Sequence, residues 1–542
     1  QSQANQLAGW IEEKRPGLLA HRLYLDYFPQ EERSFGQVSP VAADALFRQF
    51  HEGSVIINFT GHGSEQLWMA ERILDPERIA ALNNRFRLPF LVTATCEFGR
   101  SDDPSLQSAA EQILLKKASG AIGLVTSSRP VSSATNFDLN SDLYQAFFNS
   151  NDNSTPALGT MFMRTKNARD TRIGNRNFIL LGDPSMQLAF PKKEVQITSL
   201  ISTAGNKTVA GREQIQVQGE IKNNGTVMAS YQGKATIEVF DRPTSFTTLG
   251  DENEPFGYEE WEKVLFRGET EVNNGKFKFT FTTPPNEQNV PSTGKILVHA
   301  TSENAPDAGG VEIPITLIPF NYPLADNQAP QIQLWMNDTT YVEGNPTGKD
   351  PFLVARFNDE YGIDLSQFDN RRLEIILDNN RRFYVEPYYT AKGSKGNFGE
   401  LRFQFFGLEE GLHQATVIAY DLAGNSASAT IEFTVDASNW EVSLVNGFPN
   451  PFTSVTSIYL EHTRPGDDLA GTLIISDRTG SQIRKIDFEQ ALAPGKTVIK
   501  EWDGTDAQGN KLPSGLYFLR ADVRSTLYGL KRARTGKVVL LN

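Results

Sequence analysis

The chain has 542 residues, of which 39% are hydrophobic and 22% are charged. This length excludes a single small domain, because domains mostly hold roughly 100–200 residues, and it predicts about three to five of them. The excess of 65 acidic over 52 basic residues gives a net charge of −13. Binding of nucleic acid or anionic lipid is not expected, because both require a basic surface. Proteins and neutral surfaces are the expected partners.

Composition also indicates the class of structure. The chain holds 43 Gly, 28 Pro and 35 Phe but only 6 Met, a mixture typical of turn-rich β structure. It begins Gln1-Ser2-Gln3, without the basic start and apolar run of a signal peptide. No apolar stretch approaches the roughly 20 residues of a membrane-spanning helix. We therefore expect a mature product or a piece of a longer chain, attached to a membrane only through a partner or a modification.

Residues 1–192 alternate between strand and helix patterns. Short apolar runs followed by small polar residues are typical of buried parallel strands, and they occur at Val55–Phe59, Leu88–Ala94 and Ala121–Val125. Apolar residues at helical spacing lie between these runs, in Val41–Phe50, Pro76–Leu82 and Ser108–Leu115. This order predicts an α/β domain with a mainly parallel sheet. Catalytic groups of such sheets gather beyond the C-terminal ends of the strands.

In the remainder of the chain the apolar period changes from 3.6 to 2. Phe277, Phe279 and Phe281 alternate with polar residues, as in half-buried antiparallel strands. A segment rich in Pro, Asn and Asp at Asn321–Pro330 and a boundary at Asp436–Trp440 divide this part. We predict three antiparallel β-sandwiches of the immunoglobulin-like class, which cover residues 193–320, 325–437 and 438–542.

Two residues capable of covalent catalysis follow neighbouring predicted strands. His62 lies between two glycines after the first strand, and Cys96, the only cysteine, follows the second strand. One crossover separates them, so both are expected at the same edge of the sheet. A neutral imidazole can take a thiol proton and later return it to a leaving amine. The pattern indicates a Cys–His dyad.

The backbone N–H groups of Gly63 and Cys96 are the candidate donors of an oxyanion hole. Such a donor contributes about 3–4 kcal/mol to catalysis in mutated enzymes. Two alternatives stay open from these residues alone. Gly61–Gly63 can be a structural turn, and a lone cysteine can be a small buried hydrophobic residue.

Longer segments around the dyad resemble the gingipain family of cysteine peptidases. They are, in chain order, Asn58–Glu65, Leu88–Cys96, Gly120–Ile122 and Gly182–Ser185. The resemblance implies a caspase-like α/β fold and assigns the family's catalytic histidine to His62 and its nucleophile to Cys96. Three further segments, Thr126–Val131, Trp335–Asp338 and Phe448–Phe452, resemble the sortase-type members that act in type IX secretion.

The resemblance to these sortase-type members implies a cell-surface enzyme at the outer membrane of Gram-negative bacteria. Such an enzyme removes the C-terminal sorting domain of type IX cargo and can transfer the cargo, through a thioester, to a lipopolysaccharide-linked acceptor. The segments Trp502–Gly504 and Pro513–Tyr517 resemble a sorting domain, so residues 438–542 are expected to dock on the outer-membrane barrel PorV. The resemblance implies no cofactor and no metal.

Four further residues are candidates for the site. Ser127, Ser128 and Arg129 would line the substrate pocket, where small side chains and a basic group argue against a pocket for arginine. The family implies a third catalytic carboxylate, and Asp26 is the candidate for it.

Two other functions remain as alternatives. One is a secreted gingipain-like protease whose own C-terminal tail is cleaved off. The other is a non-catalytic surface adhesin or scaffold, in which the β domains bind partners and the dyad is vestigial. Asp503–Asn510 superficially resembles a calcium loop, but Thr505 and Ala507 stand where ligands are needed, so a hairpin turn is favoured.

Overall fold

The computed structural model describes most of the chain. The described ranges are 1–34, 36–117, 119–148, 155–169, 173–205, 207–251, 253–286, 289–343, 345–436, 440–526 and 529–541. Within them an α/β region comes first and a long β region follows. No helix in these ranges combines the length and the apolar character needed to cross a membrane.

The α/β region alternates helices with short strands. Its elements are α1 Ser2–Lys14, β1 Glu31–Arg33, β2 Gly36–Val38, α2 Pro40–Glu52, β3 Ile56–Thr60, α3 Pro76–Ala81, β4 Phe90–Ala94, α4 Ala109–Leu115, β5 Gly123–Ser127, α5 Ser133–Phe148, α6 Leu158–Ala168 and β6 Phe178–Gly182. The sheet order is β3-β4-β5-β6, with the first three strands parallel and β6 antiparallel to β5. The predicted strands and the mainly parallel sheet are present.

Both faces of this sheet are covered by helices. Leu91 packs in one cluster with residues of α2, α3 and α4, whereas Phe90 and Val92 pack in a second cluster with α1, α5 and α6. Successive side chains of a strand point to opposite faces, so one central strand contributes to both cores. The helices cover the two faces of the sheet, and the ends of the strands lie at its edge.

The central β region extends from residue 193 to residue 435. Its strands are β7 Lys193–Ile201, β8 Thr208–Gly211, β9 Gln214–Asn223, β10 Thr226–Val227, β11 Gly233–Phe240, β12 Thr244–Thr247, β13 Gly257–Glu260, β14 Val264–Val272, β15 Lys276–Thr282, β16 Ser292–Thr301, β17 Ala308–Asn321, β18 Gln331–Met336, β19 Pro346–Thr347, β20 Phe352–Asn358, β21 Glu374–Leu377, β22 Arg381–Tyr384, β23 Tyr389–Lys392, β24 Phe398–Gln404, β25 Gly411–Tyr420 and β26 Ser426–Val435.

One sheet runs through both predicted central sandwiches. Its order is β10-β9-β7-β17-β16-β11-β14-β23-β24-β20-β18, and the two halves join where β14 pairs with β23. In that pairing Glu269 faces Lys392, and the two side chains form a salt bridge of 3.3 Å. One hydrophobic cluster likewise extends from Val195 to Val435. The two halves are therefore continuous, and their division into separate domains stays a prediction.

The C-terminal region is a sandwich of two small sheets. Its strands are β27 Val442–Phe448, β28 Thr456–His462, β29 Asp467–Ser476, β30 Gln482–Ala493, β31 Lys496–Trp502, β32 Gly515–Ser525 and β33 Lys531–Leu540. The sheet orders are β27-β28-β31 and β30-β29-β32-β33, around a core that contains the buried Trp440 and Trp502. The candidate calcium loop after β31 is a turn closed by a bridge between Thr505 and Lys511.

Candidate active site

His62 and Cys96 each lie two residues beyond the end of a strand. The parallel register of β3 and β4 sets Thr60 opposite Ala94, and the Gly61 N–H donates to the Ala94 carbonyl at 3.4 Å. Adjacent strands lie about 4.8 Å apart, so the two chains leave the sheet side by side. His62 is exposed and Cys96 is half-buried. The fold thus brings both positions to one edge of the sheet.

The loop that carries His62 rests directly on the loop that carries Cys96. The Met69 N–H donates to the His62 carbonyl at 3.0 Å and closes the loop as a hairpin. A Cβ atom at Gly63 would lie 2.4 Å from Thr95 Oγ1 and 2.9 Å from the Leu67 carbonyl oxygen. Because glycine has no side chain, the two loops can approach each other closely at this position.

The thiol of Cys96 meets the backbone of the loop after β5. Val131 lies 3.5 Å from Sγ through both its N–H, which donates to sulfur, and its carbonyl oxygen, which accepts from the thiol. These two contacts hold the sulfur against the loop after β5. Glu97 has a φ of 56°, so the chain turns sharply directly after the cysteine.

The two predicted oxyanion donors have no hydrogen-bond acceptor among the described residues. In the described part of the chain, neither the Gly63 amide nor the Cys96 amide donates to a backbone or side-chain acceptor. Both amides lie in the two loops that meet at the sheet edge. A tetrahedral oxyanion is the kind of group that such a pair of unused N–H donors can bind.

Two asparagines on α5, which the sequence analysis did not single out, support the strand ends from below. Asn136 Nδ2 donates to the Ala94 carbonyl at 2.9 Å, and Asn140 Nδ2 donates to Thr60 Oγ1 at 3.1 Å. Both asparagines are buried. They lie four residues apart, on one face of the helix. Two asparagines four residues apart, at positions where the helical pattern places buried apolar residues, are the sequence signal that could have revealed them.

A charged rim surrounds the cysteine, and we define it as Glu65, Glu97, Arg100, Asp102 and Arg129. Arg100 contacts Glu65 at 2.5 Å, Glu97 at 3.7 Å and Asp102 at 3.3 Å, and Arg129 contacts Asp102 at 2.5 Å. The hydrogen bond from Arg129 is the main cause that lowers the pKa of Asp102 below its ordinary value. The rim joins the loops that follow β3, β4 and β5.

The three predicted pocket residues occupy different environments. Ser127 is buried, and its hydroxyl donates to the Thr95 carbonyl, so it supports the Cys96 loop from beneath. Ser128 is half-buried and bonds through its N–H and its hydroxyl to the Asn177 carbonyl at 2.8 and 3.0 Å. Arg129 is exposed in the charged rim. Only Ser128 and Arg129 remain partly open to a substrate, and their pocket role stays a prediction.

Asp26 lies at the junction with the β region. It is buried, its Oδ1 accepts from the Asp251 N–H at 3.0 Å, and its carbonyl accepts from the Leu249 N–H at 2.7 Å. Gln1 Nε2 donates to Oδ2 at 3.2 Å. These contacts give Asp26 a structural role between two regions, and a role as third catalytic residue stays a prediction.

Comparisons with known proteins identify two parts of the chain. Residues 1–189 match the model of peptidase family C25, and residues 450–526 match the FlgD Ig-like domain. The comparison with curated proteins gave no significant match. These matches confirm the predicted fold class, a gingipain-type peptidase domain followed by a predominantly β-sheet region that contains an Ig-like domain.

Two crystal structures are among the solved structures that are similar to this chain. The crystal structure of dimeric latent PorU from Porphyromonas gingivalis is 22% identical with a TM-score of 0.31, and the match covers 79% of this chain and 41% of that chain. The structure of the Arg-specific cysteine proteinase gingipain R is 16% identical with a TM-score of 0.26, over 51% of this chain and 55% of that chain. The chain thus spans about two fifths of the length of the PorU structure.

Proposed function

Because residues 1–189 belong to peptidase family C25, the gingipain family of cysteine peptidases, we propose that Cys96 is the nucleophile and His62 the general base of an endopeptidase. The register of β3 and β4 carries this proposal, because it sets both residues two positions beyond paired strand ends. Cys96 is the only cysteine in the sequence, so no other side chain can supply a thiol.

The proposed reaction proceeds in two halves. His62 takes the thiol proton, and the Cys96 thiolate attacks the scissile carbonyl carbon. The Gly63 and Cys96 amides donate to the oxygen that becomes negative. The C–N bond then breaks, the leaving amine takes the proton from imidazolium, and a thioester remains. A second nucleophile, whose proton goes to His62, attacks the thioester and releases the thiol.

The second nucleophile decides between a peptidase and a sortase. Water gives hydrolysis, whereas an amine gives a new amide and a transferred product. We propose the sortase form, in which the substrate is a type IX cargo protein with a C-terminal sorting domain and the acceptor is linked to lipopolysaccharide. The motif segments beyond the dyad, Thr126–Val131 and Trp335–Asp338, support this form.

The proposal also assigns a location and an anchor. The C-terminal sandwich resembles a sorting domain, so we propose that it is retained and docks on the barrel PorV at the outer face of the outer membrane. The net charge of −13 is compatible with protein partners, and the proposal includes no nucleic-acid partner.

Intact-mass analysis of products tests the two levels of the proposal. The chain is incubated with a purified type IX cargo protein that carries its sorting domain, with and without glycylglycine as an amine acceptor. Hydrolysis adds one water across the cleaved bond, whereas transfer gives a cargo product that is heavier than the hydrolysed cargo by the mass of the dipeptide less one water. We expect both products, the second only with the added amine.

Cys96→Ala is the control for both products. Cleavage that persists in this variant would overturn the assignment of the nucleophile. Cleavage without any amine adduct would leave a hydrolytic peptidase and overturn the sortase form. Intact mass of the chain recovered from cells tests retention of the tail, because loss of residues beyond Trp440 favours a secreted protease.

A further inference from the structure

Three aspartates from distant parts of the sequence meet at one end of the second half of the central β region. Asp326 lies in the connection between β17 and β18, Asp359 follows β20, and Asp421 follows β25. One carboxylate oxygen of each lies within 4.8 Å of the corresponding oxygens of the other two. We call these three residues the acidic cluster.

The acidic cluster has no basic partner. Within the described ranges, none of its three members forms a salt bridge with lysine, arginine or histidine. Asp421 is fully buried and Asp359 is only 9% exposed. Burial, and after it the nearby charges of Asp421 and Asp326, raises the pKa of Asp359 to about 6. Three carboxylates gathered in this way repel one another unless a cation joins them.

One carboxylate oxygen of the cluster is shielded from solvent and receives no hydrogen bond from the part of the chain that the structure describes. Asp326 Oδ2 is shielded from solvent and has no partner, while its Oδ1 accepts from the Gln328 N–H at 2.9 Å. Asp359 Oδ1 accepts two backbone N–H bonds at 2.9 Å, from Tyr361 and Gly362. A buried acceptor without a donor is costly, so the unused Asp326 Oδ2 indicates a missing ligand.

We propose that the acidic cluster binds a divalent cation of the calcium class. Calcium takes six to eight oxygen ligands at about 2.3–2.6 Å, so two ligands on opposite sides of the ion lie about 4.8 Å apart. The donor set consists of oxygen alone, which suits calcium and not zinc, a metal that prefers nitrogen and sulfur. Magnesium demands a tighter octahedron at about 2.0–2.1 Å and is expected to bind less well.

The position of the cluster gives the cation a structural task. Asp326 belongs to the connection between the two halves of the central β region, whereas Asp359 and Asp421 belong to loops of the second half. Asn425 Nδ2 already links these parts, since it donates to Asp421 Oδ2 at 2.7 Å and to the Asp326 carbonyl at 3.3 Å. A bound ion would fix this joint more firmly. This inference concerns the β region and does not depend on the proposed peptidase function.

Isothermal titration calorimetry of the full chain with calcium chloride tests the proposal, after removal of bound metal with EGTA. Modules with few protein ligands bind calcium with a Kd on the order of 10⁻⁴–10⁻³ M, and we expect a value in that range. Magnesium chloride is expected to bind at least roughly tenfold more weakly. Calcium should also raise the Tm, because a ligand that binds only the folded state stabilises it.

Two substitutions at the cluster and one matched control complete the experiment. Asp326→Asn and Asp421→Asn each remove one charged ligand, and we expect each to weaken calcium binding roughly tenfold or more. Asp326 is only half-buried, so Asp326→Asn should fold even where Asp421→Asn does not. Glu432→Gln removes one charge from β26 outside the cluster and should leave calcium binding unchanged. No binding by wild type up to about 10 mM calcium, or undiminished binding by Asp326→Asn, would overturn the proposal.

Discussion

The charged rim of the α/β region and the acidic cluster of the β region each hold three carboxylates at the end of a sheet. In the rim, two arginines lie between the carboxylates and contact them at 2.5 to 3.7 Å. In the cluster no basic side chain intervenes among the described residues, and two of the three aspartates are buried. The same kind of charge is thus neutralised by the protein in one place and left for an ion in the other.

The pKa shifts of the two groups have opposite signs for this reason. Arginine contacts lower the pKa of Asp102, whereas burial and neighbouring carboxylates raise the pKa of Asp359 to about 6. A cluster of acidic residues therefore says little about function until its neighbours are known. Rim carboxylates can hold loops together, and cluster carboxylates can hold a cation.

Exchange of one residue in each region should separate their roles most sharply. We expect Cys96→Ala to reduce peptidase activity at least about 10³-fold, because the nucleophile is lost. The same variant should keep the wild-type Tm and calcium affinity. Asp326→Asn should show the reverse, with calcium binding weakened roughly tenfold or more and cleavage of cargo retained at saturating substrate. Activity and calorimetry measured on both variants check this, and a loss of both properties in either one would contradict it.

Gly63→Ala is expected to be the second-largest effect on activity. The new Cβ would meet Thr95 Oγ1 at 2.4 Å and the Leu67 carbonyl at 2.9 Å, so the His62 loop must move away from the Cys96 loop. Displacement of a catalytic group by about 1 Å can cost about 10²-fold in rate. kcat/KM with a peptide substrate measures the loss.

Two further variants show whether crowding causes that loss. Thr95→Ala removes the closest atom, so the double variant Gly63→Ala/Thr95→Ala should recover part of the activity. Gly61→Ala places its Cβ 3.0 Å from Phe59 Cζ, a side-chain atom that can give way, and should cost less. Equal losses in Gly61→Ala and Gly63→Ala would contradict the crowding explanation.

Asn136→Ala should affect both stability and activity, to a smaller degree. The amide of Asn136 donates to the Ala94 carbonyl at 2.9 Å beneath the Cys96 loop, and its loss leaves that carbonyl only the longer bond from the Gly61 N–H at 3.4 Å, at a cost of about 0.5–1.5 kcal/mol. A less firmly held loop should lower kcat about tenfold. Urea denaturation and steady-state kinetics measure the two effects. An unchanged kcat would show that Asn136 supports the fold alone.

The sequence predicts the α/β part of the fold better than the β part. Short apolar strands between amphipathic helices have one common solution, a parallel sheet whose strand ends share an edge, so the positions of His62 and Cys96 follow from topology. The continuous sheet through β14 and β23 does not follow from local pattern. An edge strand has the same alternation whether it stays free or pairs with another half, and the pairs Gly268–Ala391 and Glu269–Lys392 join residues far apart in the sequence.

The supporting residues escape prediction for a similar reason. Asn136 contacts Ala94 across 42 positions, and the acidic cluster joins Asp326 to Asp421. Asp359 and Asp421 follow strands and precede glycines, as turn aspartates commonly do. In the sequence only Asp503–Asn510, where the ligands would be contiguous, resembles a calcium loop, and no metal is expected from the resemblance. A site assembled from three separate loops has no such local signature.

The smallest expected effect concerns Arg129 and the pKa of Asp102. A carboxyl whose pKa is lowered in the folded state stabilises the protein at pH values above its ordinary pKa, and this contribution is lost as the pH falls through the lowered value. Arg129→Gln should move the pKa of Asp102 upward toward its ordinary value, while Arg100 at 3.3 Å keeps part of the shift. Because the pair is exposed, the unfolding free energy at neutral pH should change little.

NMR titration of the Asp102 side-chain carboxyl in wild type and Arg129→Gln measures this shift. Asp103 is an internal control, because Ser105, and not Arg129, is the main cause that lowers its pKa, so its titration should stay the same. An unchanged titration of Asp102 would mean that Arg129 does not hold that carboxylate in solution. The rim would then be open near Ser128, and the contrast with the acidic cluster would rest on Arg100 alone.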